Sequence, residues 1–158
     1  RATLGLLGQI IKAPYYTYMR TERKHGYIVF ASPYPILEQG GLAFIVQSPA
    51  TPREVLLDEI LEFIKEFVDI LKAMEDSDFE SHQQGLINNL VKKPLNLQEK
   101  TNRLWRDIDR ENYQFDTMDE IAHQVSLLSK QDIIDYLQTH IIGEKKKASA
   151  FYFDPSQP

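Results

Sequence analysis

The chain contains no cysteine, which excludes disulfides, thiolate nucleophiles and cysteine-bound zinc together. The redox compartment stays open, because cytosolic and periplasmic proteins can both dispense with cysteine. Positive charge is also scarce: 18 Lys and Arg stand against 23 Asp and Glu, a formal net charge of -5. That balance lacks the broad basic footprint nucleic acid needs, and the single run Lys145-Lys146-Lys147 is too short to supply one. It reads as a solvated helix end or turn. No apolar run nears the roughly 20 residues that span a bilayer, and no charged-apolar-small leader opens the chain. Neither nucleic acid nor a membrane is therefore an expected partner.

Groups that would mark a self-contained catalytic centre are also missing. The four histidines, His25, His82, His123 and His140, are scattered, and none lies three or four residues from another. His140 with Glu144 has helical ligand spacing but no third donor, so no metal site is expected in this chain. There is no G-x-S-x-G elbow and no glycine-rich phosphate loop. Carboxylates such as Asp76 and Asp78, or Asp107 and Asp109, stand two apart, point away from each other on a helix, and read as solvated faces or caps.

What is present is a globular composition: 158 residues, 42% apolar and 26% charged, enough for one domain over residues 1–158 with its own core. The chain enters a helical pattern directly at Arg1, as a segment of a longer protein would. Leu4, Leu7, Ile11 and Tyr18 fall at helical spacing, with Pro14 expected to break or restart that helix before its end near His25. Gly26 should open a strand with Tyr27, Val29 and Ala31 on one face and Ile28, Phe30 and Ser32 on the other, ended by Pro33 and Pro35. A second strand after Gly40-Gly41, apolar on both faces, is expected inside a sheet and joined to the first as a hairpin.

Five helices should follow. Their starts are marked by capping boxes at Thr51, Ser77 and Thr117 and by looser versions at Asn96 and Ser129. The stripe Leu56, Ile60, Phe63, Ile64, Phe67, Leu71 and Met74 marks the first as a core helix, Trp105 reads as a helix-packing residue, and residues 148–153 read as a last strand. The fold class is α+β, with helices packed on one face of an antiparallel or mixed sheet.

The most telling stretch is Met19-Arg20-Thr21-Glu22-Arg23-Lys24-His25-Gly26-Tyr27-Ile28-Val29-Phe30, which sets a cation and a phenol at a helix-to-strand junction. Composition alone would make Arg20 the partner of a nearby acid such as Glu22, and Tyr27 a half-buried strand aromatic. The stretch resembles a motif of the pitrilysin and insulysin family of zinc peptidases: Arg-Thr, an acid, then Gly-Tyr-aliphatic-Val-Phe. Gly41-Leu42-Ala43-Phe44-Ile45-Val46-Gln47-Ser48 is similar to the family's second strand, and residues 107–116 resemble the late helix and loop of the bacterial pitrilysin branch. One departure adjoins the motif, where Lys24-His25 replaces the family's usual Gln-Leu.

The resemblance implies most of a C-terminal, fourth domain of the zinc-peptidase fold, lacking the strands that precede Arg1 and so leaving an unpaired sheet edge. It implies catalytic roles for Arg20 and Tyr27. Arg20, Gly26, Tyr27 and His25 would contact substrate, with His25 adding a pH-dependent charge to the pocket. Zinc would be held by another domain through an H-x-x-E-H motif. The partners would be the N-terminal half of the same peptidase and peptide substrates, and the location would be the periplasm. The isolated segment would be inactive. The rival expectation is a catalytically silent relative acting as a scaffold or binding domain.

Overall fold

The computed structural model describes residues 1–36, 39–109, 111, 113 and 115–143. Glu144, the run Lys145-Lys146-Lys147 and the strand expected over residues 148–153 lie outside the described residues, as do 110, 112 and 114 of the 107–116 motif.

Helix α1 (Ala2–Tyr16) buries Leu4, Leu6, Leu7, Ile10, Ile11 and Tyr15, which is more than one stripe. A helix apolar nearly all round belongs in the middle of a fold. Accordingly, α1 packs against the first strand and against helices α2, α3, α5 and α6 introduced below. Pro14 does not break it. The helix runs through Pro14 and passes into a π-helical turn (Thr17–Glu22), with the Arg23 amide donating to the Tyr18 carbonyl five residues back at 3.0 Å. An interior proline costs about 3 kcal/mol. Here complete burial of Ile11 before the proline and of Tyr15 and Met19 after it offsets that cost.

Strands β1 (Ile28–Ile36) and β2 (Gln39–Gln47) form an antiparallel pair in which Val29 faces Val46 and Phe30 faces Ile45. The expected alternation holds within β1: Val29 and Ala31 are buried on the helices, with Leu42, Phe44 and Val46 of β2 packed beside them, while Ile28, Phe30 and Ile45 are exposed; Tyr27, expected on the face of Val29 and Ala31, precedes the strand and is exposed. The prolines do not end β1. Residues two apart direct their amide positions to the same strand edge, so Pro33 and Pro35 both withhold a donor from the side away from β2, and pairing runs on to Ile36. Pro33 also lies directly against Gly8 of α1, where any Cβ would collide with its ring. Among the described residues β2 pairs with β1 alone, so its expected place inside a sheet is not realised.

Five helices follow: α2 (Arg53–Ala73), α3 (Asp76–Val91), α4 (Leu97–Asp109), α5 (Thr117–Ser126) and α6 (Lys130–Tyr136), the last continuing as a π-helical turn (Leu137–Ile142) up to Gly143. The looser caps are the ones that form. Ser129 accepts from the Asp132 amide while Asp132 accepts from the Ser129 amide, and Asn96 accepts from the Glu99 amide at 2.9 Å. Pro52, Glu75 and Asp116 precede α2, α3 and α5 without a side-chain cap, and Ser77 and Thr117 lie inside their helices.

The α2 stripe is core as expected. Phe63 is fully buried at its centre, with ring centroids 5.2 Å from Tyr15, 5.3 Å from Tyr18 and 5.6 Å from Phe67. On α4 two expectations reverse together: Trp105 is 63% exposed and Asp107 only 3%. Residues two apart lie on opposite sides of a helix, so burying one turns the other outward. Among the described residues no helix is long and apolar enough to cross a membrane. The whole is α+β, with helices covering one face of an antiparallel hairpin.

Candidate functional site

The junction between α1 and β1 is built by the π-helical turn. The wider turn is followed by Lys24, whose φ of 56° puts a non-glycine residue in the left-handed region. The His25 amide then closes back on the Met19 carbonyl at 2.9 Å. This sharp reversal carries the chain from helix to strand in a few residues. It brings Arg20 under Gly26 and Tyr27: an Arg20 Nη donates to the Gly26 carbonyl, and the guanidinium carbon lies 5.7 Å from the Tyr27 ring centroid.

Arg20 therefore pairs with backbone and an aromatic face, not with Glu22. One donor of its fork is committed to Gly26, and the planar guanidinium has five in all. Tyr27 is 80% exposed, far from a half-buried strand aromatic, and among the described residues its hydroxyl has no hydrogen-bond partner. Arg20 and Tyr27 thus form a rigidly anchored pair at the rim of the hairpin. Two surface concavities lie elsewhere, one around Gln83 and Lys130 and one around Asn102 and Arg106. The pair is an open face with no facing wall among the described residues.

Gly26 is buried, and its missing side chain has a clear cause. A Cβ there would lie 2.5 Å from the Gln47 carbonyl oxygen and 3.2 Å from its carbon, while the Tyr27 amide donates to the same oxygen at 3.0 Å. Gly26→Ala should therefore push the junction off β2. A loss of about 1–3 kcal/mol in stability is expected, read from the denaturant midpoint. An unchanged midpoint would show that β2 yields freely at Gln47.

His25 is drawn into packing, with 14% of its side chain exposed. Its Nδ1 lies 3.3 Å from the Thr51 hydroxyl and its Nε2 3.4 Å from the Glu59 carboxylate on α2, at ion-pair distance and without hydrogen-bond geometry. The Thr51 hydroxyl that looked like a helix cap is beside His25 instead. Sequence reasoning missed Glu59 and its partners. The Tyr18 hydroxyl lies 3.2 Å from Glu59 and 3.3 Å from Glu62, and Arg23 lies 3.3 Å from Glu59 and 3.7 Å from Glu62 while its guanidinium covers the Tyr18 ring at 4.9 Å. The Tyr18 hydroxyl is pushed up to about 12, by burial first and by the two glutamates in addition, with Arg23 opposing. It remains a donor at neutral pH. The only signal available beforehand was the Glu59 and Glu62 spacing, which puts both on one face of α2.

Among the described residues no three His, Cys, Asp or Glu side chains converge to hold a metal ion. The arrangement offers two groups to an external ligand: a fixed cation and a neutral phenol.

The spans matched in known proteins include that junction. Residues 6–105 match the family model described as PQQ synthase PqqF-like, C-terminal lobe domain 4. The chain is 34% identical over 153 residues to Protease 3 of Escherichia coli (strain K12), across 97% of this chain and 16% of that protein. It is 31% identical over 140 residues to a nardilysin-like protein of Arabidopsis thaliana, across 89% of this chain and 14% of that one. The crystal structure of pitrilysin superposes with a TM-score of 0.83 at 33% identity, over 89% of this chain and 15% of that one. The chain thus spans about one-sixth of the length of these relatives. With fold and sequence in agreement, this chain belongs to the PqqF-like C-terminal lobe domain 4 family.

Proposed function

We propose that this segment supplies the substrate-clamping and oxyanion-donating part of a zinc endopeptidase site, while the zinc, its ligands and the glutamate base are carried elsewhere in the intact protein. The observation that carries the reading is the Arg20 and Tyr27 pair: a phenol left open to solvent, braced by a guanidinium that is itself anchored to Gly26. A packing aromatic would be covered, and a surface arginine would sit on an acid. The N-terminal half of the same peptidase would provide the second wall, closing a chamber over peptide substrates.

Within that chamber each group has a separable task. Attack on a peptide carbonyl places negative charge on its oxygen, and the Tyr27 hydroxyl can donate to that oxygen as the charge develops. The uncommitted donors of Arg20 suit the carbonyls of an extended peptide and hold it against the edge of β1. Arg20 acts from the ground state onward, and Tyr27 chiefly in the transition state.

The test of the clamp is Arg20→Ala in the full-length protein, assayed by steady-state kinetics on a peptide. KM should rise and kcat fall, with kcat/KM lower by about tenfold to a hundredfold, as for a lost charged hydrogen bond. Arg20→Lys should recover little, since an ammonium cannot reproduce the fork. Unchanged kinetics in Arg20→Ala would overturn the reading and leave the domain a scaffold.

A further inference from the structure

Glu59 gathers three side chains from the turn that presents the candidate site. Tyr18 comes from the π-helical turn, and Arg23 and His25 stand on either side of the left-handed Lys24. Arg20 lies between these attachment points and Gly26 directly follows them, so the hold on Glu59 is a hold on the geometry that sets the guanidinium against the Tyr27 ring. Resting on the peptidase reading, we infer that Glu59 is a positioning residue. It clamps residues 18–25 onto α2 so that Arg20 and Tyr27 stay aligned.

The clamp is shared among several groups: Glu59 and Glu62 reach it from α2, Arg23 from the loop and Tyr18 from the π turn, with the Thr51 hydroxyl on the other ring nitrogen of His25. Arg23 is permanently charged and shares both glutamates. Lys24 in the left-handed region adds backbone strain that the clamp must overcome, which makes this loop sensitive to the loss of one arm.

The experiment is hydrogen exchange by mass spectrometry on the full-length protein, following peptides that cover residues 18–30, with kcat measured in parallel on a peptide. Wild type, Glu59→Gln and His25→Gln are compared at one pH. Glu59→Gln keeps an acceptor for Tyr18 and removes the charge, and thermal melts check that both variants fold. Both variants should be less protected than wild type by about threefold or more. Turnover should follow protection, with Glu59→Gln losing about tenfold in kcat through misalignment. Equal protection in all three proteins overturns the clamp, and lowered protection with unchanged kcat overturns the positioning role. A wild-type protein without turnover overturns the peptidase reading instead, and exchange alone then supports or overturns the clamp.

Discussion

Tyr27→Phe in the full-length protein is expected to lower kcat by roughly 10² or more while leaving folding almost untouched. Such a loss corresponds to about 2.7 kcal/mol of transition-state stabilisation. The fold supplies the reason that the two effects separate. Tyr27 is 80% exposed, so its hydroxyl contributes nothing to the core, and a phenylalanine ring keeps the same face toward the Arg20 guanidinium at the same place. Only the donor is removed. KM should change little, because the hydrogen bond forms chiefly as the carbonyl oxygen gains charge. Steady-state kinetics on a peptide, with a thermal melt of the same preparation, reads both quantities. Near wild-type turnover in a well-folded variant would make Tyr27 a rim aromatic and remove the oxyanion role.

Phe63→Ala should have the largest effect on stability, a loss of about 3–5 kcal/mol. Phe63 is fully buried where α2 meets α1 and the hairpin, and its ring adjoins Tyr15, Tyr18, Phe67 and, at 6.5 Å, Phe44. Truncation removes the transfer energy of the ring and opens a cavity that rigid aromatic neighbours fill poorly. Leu57→Ala on the outer side of α2, where the side chain is exposed, should stay within about 0.5 kcal/mol. Denaturant titrations of the two variants side by side make the comparison. Similar small losses for both would mean that α2 is not docked through Phe63. The site should respond as well, since Tyr18 carries both the packing against Phe63 and the bond to Glu59.

What the sequence by itself determined is whatever depends on spacing along the chain. The apolar period of α2, the alternation of Val29 and Ala31 with Ile28 and Phe30, and the number of helices after the hairpin are local properties, and the structure repeats them. The Arg20 to Tyr27 motif was legible in the same way, through its family resemblance. What only the tertiary structure decided is whatever depends on partners distant in sequence. Pro14 and Pro33 are tolerated because burial and a free strand edge outweigh a local rule. Thr51 meets His25 in place of a helix end, and Asp107 turns inward at the expense of Trp105. His25, expected beside substrate, is seated on α2 by Glu59, 34 residues on along the chain, and the pairing of Arg20 with Tyr27 depends on a π-helical turn that no spacing rule announces. The physical reason is common to all of these. A propensity or a cap contributes about 1 kcal/mol, and side-chain burial together with charge pairing across the fold contributes enough to override it.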